Sequence, residues 1–231
     1  MRYPCAYEGV GKIGKAAIIT IAVTVIGIIT DLIGILAADS LDQLNQLGGG
    51  ISPVAVAISI LAVPMAIMGL VGMVIRILGV RKASQEEPEF NLAFWMILIQ
   101  IIISVINGLI ADDCRGAKLF VEVASDFLGL LAAIFIIKGI KSLADHLENS
   151  EVGGGAALVR NAFVIAYVIG IAGRIVSYIA FKSDNFYLVT GVEGLISGII
   201  ILAVYLYYIK FLKKAEAMLG YDLYMTSDEV Q

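Results

Sequence analysis

Long apolar runs separated by short polar interruptions define the chain. Runs of twenty or more mostly apolar residues occupy roughly 16–38, 53–80, 91–111, 118–141, 157–181 and 186–212. About 20 helical residues cross a hydrocarbon layer of about 30 Å, so each run predicts a transmembrane α-helix. Together they take up most of the 231 residues and leave no room for a separate soluble domain. The expected fold is all-α: a polytopic membrane helix bundle of six transmembrane helices, one integral membrane domain over 1–231.

The polar interruptions repeat. Runs one, three and five end in "IGILAADS", "INGLIADDC" and "VSYIAFKSD", each reaching an aspartate: Asp39, Asp112 or Asp184. Runs two, four and six end in basic clusters, "RILGVRKAS", "KGIKSLADH" and "KFLKKAEAM". This predicts three tandem helical hairpins, near 10–88, 89–152 and 153–220, followed by a short polar tail at 221–231. Ser52 before Pro53 reads as an N-cap with proline at the first helical position. "LGGG" (47–50) and "VGGG" (152–155) read as flexible connectors, and Pro64 should kink the second helix. Mitochondrial carriers are also built from three hairpins. Their Pro-x-Asp/Glu-x-x-Lys/Arg signature is missing, since no proline lies near Asp39, Asp112 or Asp184.

Composition agrees with the pattern. The chain is 60% hydrophobic with a mean hydropathy of +0.94, well above the roughly 45–50% apolar content of ordinary soluble domains. The first run is too long for a signal-peptide core and lacks a small-residue cleavage site, so it reads as a transmembrane helix. Charge sets the expected orientation. Arg2, Lys12, Lys15, Arg76, Arg81, Lys82, Lys138, Lys141, Arg160, Lys210, Lys213 and Lys214 fall on one side. Only Arg115, Lys118 and Lys182 fall on the other. The positive-inside rule therefore places both termini in the cytoplasm, in what reads as a prokaryotic cytoplasmic membrane. The basic rim would face anionic lipid headgroups. Phe90, Phe94, Trp95, Tyr205, Tyr207 and Tyr208 would form an aromatic belt at that interface. Cys5 and Cys114 lie on opposite sides and are expected to stay unpaired.

Some polar positions fall within the apolar runs. "VIGIITDLIGILAAD" carries Asp31 about 12 Å inside the outer end of its helix. Counted from the same outer side, Asp126, Arg174 and Glu193 lie at about 10–12 Å, with Asn107 and Glu122 shallower. Intramembrane ionisable residues are costly and point to function. Helical spacing adds neighbours. Thr20, Thr24, Gly27, Asp31 and Gly34 share one face, as do Gln100, Ser104 and Asn107, and Tyr167, Gly170, Arg174 and Ser177. Glu193 and Ser197 share another, beside the small-residue ridge Thr190, Gly194 and Gly198. Asp31, Asp126, Arg174 and Glu193 form the expected cation, proton or ion-pair layer, with Asp31–Arg174 as the simplest pair. Gln100, Ser104, Asn107, Ser177 and Ser197 form the expected polar lining.

Other chemistries lack residues. His146 is the single histidine and lies in a polar loop, so bis-histidine haem is excluded and no metal-site spacing occurs. There is no phosphate loop, HExxH or GxSxG motif. No enzyme activity, cofactor, metal or nucleic-acid partner is expected. Two functions remain: binding or translocation of a small solute or ion through an outward-facing polar cavity, or a non-catalytic accessory or scaffold subunit of a membrane complex. A homo-oligomer or a further membrane partner stays open.

Overall fold

A computed structural model describes residues 3–37, 53–111, 114–181 and 186–228. Asp39, Asp42, Ser52, the connector at 47–50, Asp112, Lys182 and Asp184 lie outside the described residues. Six helices follow in order: α1 (Pro4–Leu36), α2 (Pro53–Ala83), α3 (Pro88–Leu109), α4 (Arg115–His146), α5 (Ser150–Ala180) and α6 (Phe186–Asp228). All six are long and apolar enough to cross a membrane. Outward-facing side chains such as Ile60, Ile67, Ile102, Ile165 and Ile199 are exposed, as suits a surface bathed in lipid. This is the make-up of a multi-pass integral membrane protein.

The helices form a ring. Each packs on its sequence neighbours, and α6 closes the ring against α1. The α1–α6 interface is nearly as broad as α1–α2, and α4–α5 is as substantial as α5–α6, so the hairpins do not stand apart as separate units. Only α2–α3 is narrow. Close approach depends on glycine at two crossings. A Cβ on Gly9 would lie 2.6 Å from the Gly79 carbonyl oxygen, and one on Gly79 2.8 Å from that of Gly9. On α6, Gly191, Gly194 and Gly198 receive Ile35, Asp31 and Ile28 of α1, which is how small-residue ridges let membrane helices meet.

Several helices extend beyond the apolar runs at the end where the chain begins, called here the proximal end. Pro4 and Pro88 start α1 and α3 at positions that need no N–H. Glu86, in the short α2–α3 turn, accepts hydrogen bonds from the free backbone N–H groups of Cys5 (3.0 Å) and Ala6 (2.6 Å), tying the turn to α1. The expected flexible connector at 152–155 is instead helical. Asn149 caps α5 by accepting from Val152 N–H, and Val152, Ala156, Val159, Phe163 and Ala166 then form one buried face. That face packs strongly enough to override three consecutive glycines. Likewise α6 continues to Asp228, through the segment whose composition reads as a polar tail.

The buried apolar side chains lie in the proximal half or at the midpoint. The aromatic belt is corrected accordingly. Phe90 is fully buried, with one ring edge 2.7 Å from where a Cβ of Gly139 would stand, and Tyr208 is 5% exposed. Trp95 and Tyr207 do face outward. At the rim, Lys12 and Lys82 pair with Glu8, Lys138 with Glu89, and Lys214 with Glu151. The basic clusters are thus partly neutralised by acids on neighbouring helices.

Candidate functional site

The distal half of the ring holds the charged layer. Arg174, midway along the distal part of α5, reaches across to α4. Its Nε donates to Asp126 Oδ2 at 2.6 Å, its Nη2 to Asp126 Oδ1 at 3.4 Å, and its Nη1 to Glu122 Oε2 at 3.2 Å. Asp126 and Glu122 stand four residues apart, so both carboxylates face the same neighbour. The expected Asp31–Arg174 pair does not form. The ring order puts α4 beside α5 and sends α1 to the far flank of α6, so the nearer carboxylates take the guanidinium. Asn107 of α3 extends the network with a long donor contact to Glu122 at 3.5 Å.

Asp31 and Glu193 occupy adjacent interfaces. Asp31 seats its carboxylate over Gly194, where a Cβ would stand 2.6 Å from Oδ2. Glu193 lies over Gly173 in the same way, its Cγ 2.6 Å from the place of a Cβ. Ser197 donates to Glu193 Oε1 at 3.2 Å. Among the described residues neither Asp31 nor Glu193 has a salt bridge. Among the described residues, Glu122 and Asp126 thus pair with the Arg174 guanidinium, while Asp31 and Glu193 stand outside that cluster.

Two cavities share walls inside the ring. The outer one, about 420 Å³, is lined by Thr20, Thr24, Asp126, Gly170, Arg174, Glu193 and Ser197 among others. The inner one, about 520 Å³, takes residues from all six helices, including Gln100, Ser104, Tyr167, Tyr205 and Arg76. Thr20, Phe163, Tyr167 and Tyr205 border both. A side cavity of about 250 Å³ lies beside Ser104, Asn107, Ser125 and the Arg174 cluster. Ser104 and Ser125 hydroxyls meet there at 3.2 Å. Ile13, Ile97, Phe163 and Tyr208, in the wall of the inner cavity, are at most 5% exposed.

The predicted lining residues are distributed unevenly. Gln100, Ser104 and Ser197 border the two main cavities, whereas Asn107 borders the side cavity. Ser177 lines none of them, and its hydroxyl, like Asn107 Oδ1, is buried without a hydrogen-bond partner. Asp31 sits at the α1–α6 interface outside the cavity linings.

Residues that the sequence pattern assigned elsewhere also enter. Tyr205 and Tyr208 continue the Glu193, Ser197, Ile201 stripe at steps of three and four, so the stripe itself pointed them inward. With Phe163 they form an edge-to-face cluster, with centroids 5.1, 5.6 and 6.1 Å apart. Arg76 follows Gly69, Gly72 and Met73 on one face of α2, which opens inward rather than to the basic rim. No metal-holding group of His, Cys, Asp or Glu occurs among the described residues. No family model, curated protein or solved structure matches the chain.

Proposed function

We propose that this protein binds, or carries across the membrane, a small solute or ion through a polar cavity open at the distal end. The observation that carries this reading is the charge imbalance around a cavity at membrane depth. Arg174 pairs with Asp126 and Glu122, Glu193 has no salt bridge among the described residues, and Asp126, Glu193 and Arg174 border the outer cavity directly. Unbalanced carboxylates at this depth need a cation, a proton or water. The volume also suits a small ligand, and the buried apolar side chains are concentrated toward the proximal end. Orphaned polar atoms on Asn107 and Ser177 add a demand for water or ligand nearby.

The rival function, an accessory or scaffold subunit, draws on the Arg174–Asp126–Glu122 cluster alone. Such a cluster also joins α4 to α5 without any ligand.

Thermal unfolding in neutral-lipid nanodiscs separates the two. Melting is compared in sodium, potassium and calcium chloride against N-methylglucamine chloride, and across pH, for the parent and Glu193→Gln. The expected result is stabilisation by one cation or by added protons that Glu193→Gln loses. Identical melting of both proteins in every condition contradicts the proposal.

A further inference from the structure

The inner cavity differs in sign from the layer above it. Among the described residues Arg76 is its only charged lining residue; the rest are small, apolar, aromatic or neutral polar side chains. Among the described residues no carboxylate lies within 4 Å of Arg76. It shares the cavity wall with Tyr167 and Tyr208. Neutral donors gather nearby because α4 carries no side chain at Gly129. A Cβ there would stand 2.8 Å from Tyr167 Oη and 2.9 Å from Gln100 Nε2, so the missing side chain lets both groups sit together on the cavity wall.

A guanidinium at this depth is costly without an opposite charge, and its fork of donors matches a carboxylate or phosphate. The Phe163 and Tyr205 rings offer apolar walls beside it.

We propose that the inner cavity is an oxyanion site, in which Arg76 holds the charged oxygens, Gln100 and Tyr167 donate to them, and the aromatic walls cover the apolar remainder. The ligand is a small organic anion or the headgroup of an acidic lipid. The site rests on the cavity reading only in requiring that water or lipid reach it. Both α2 and α3 line this cavity with Arg76, and their narrow mutual contact would offer a lipid a lateral way in. A cation or proton held by Asp126 and Glu193 would then lie above a bound anion and balance its charge.

The test uses full-length protein in phosphatidylcholine nanodiscs, followed by calorimetry and thermal unfolding. Benzoate and inorganic phosphate are titrated, with benzamide as the uncharged control, and a second set of discs contains phosphatidic acid. Benzoate or phosphate binding in neutral discs supports a dissolved anion; stabilisation only by phosphatidic acid supports a lipid headgroup. In either case Arg76→Gln should weaken binding about tenfold or more, with Arg76→Lys retaining part of it. Equal binding by Arg76→Gln, or no response to any anion, overturns the site. Ser104→Cys, in a background carrying Cys5→Ser and Cys114→Ser, separates the failures. If it reacts with a soluble thiol reagent while no anion binds, only the anion site falls. If it is unreactive and no anion binds, the cavity reading falls as well.

Discussion

Arg174 holds more of the charged layer together than any other residue. Its side chain is 41% exposed, so its pairs are screened less than at a rim and more than in a dry core. Removing it takes the guanidinium from between Asp126 and Glu122. Arg174→Gln should therefore cost roughly 1–3 kcal/mol of thermal stability. Adding Asp126→Asn should recover part of that loss, and a melting-temperature double-mutant cycle checks the coupling. Glu87 makes a second residue-scale case, outside the apolar spans. It is 6% exposed; burial, and then Glu89 beside it, push its carboxyl above the ordinary value of 4.5, while Ser142 and His146 pull it down. A raised carboxyl favours the protonated folded state. Its contribution is therefore fully present below the ordinary value and lost as pH rises through the raised one. Glu87→Gln should flatten that part of the stability profile, which thermal unfolding from about pH 4 to about pH 8 measures.

Among the elements, the helices were legible from apolar period and length, and their ends were not. The run that began at 157 is a helix from Ser150, because Asn149 caps it and Val152, Ala156 and Val159 pack against the bundle. Triple glycine reads as a linker only when tertiary burial is left out. The preceding turn is just as compact. Asn149 N–H bonds Ala144 O at 2.8 Å and Glu148 N–H bonds Asp145 O at 3.3 Å, a Schellman closure around Glu148 at φ 53. A left-handed backbone strains any side-chain-bearing residue. Glu148→Gly should thus raise stability by roughly 0.5–1 kcal/mol, measured as a higher melting temperature with no change in fold.

Across the whole molecule, the polar stripes on α1, α3, α5 and α6 predicted an inward polar layer, and most of those residues do border the central cavities. Which charges meet was not legible. Equal depth made Asp31 and Arg174 look like partners, but depth carries no information about angular position around a ring. Helix order does: α4 flanks α5, while α1 flanks the far side of α6. Arg76 and the tyrosines were assigned to the rim for a related reason, since nearness to a helix end hides which face a residue occupies. The same arrangement makes a directional claim: tight packing at the proximal end, and water reaching Thr24 and Ser197 from the distal end. The most direct test places Thr24→Cys, Ser197→Cys or Ala156→Cys singly in a background with Cys5→Ser and Cys114→Ser. A membrane-impermeant maleimide is then applied to sealed vesicles of either orientation. Labelling of Thr24→Cys and Ser197→Cys from one side only, with Ala156→Cys unreactive from both, is the expected result. Protection of Thr24→Cys and Ser197→Cys from both sides, in protein that inserts normally, would contradict an open polar cavity and leave a sealed structural core.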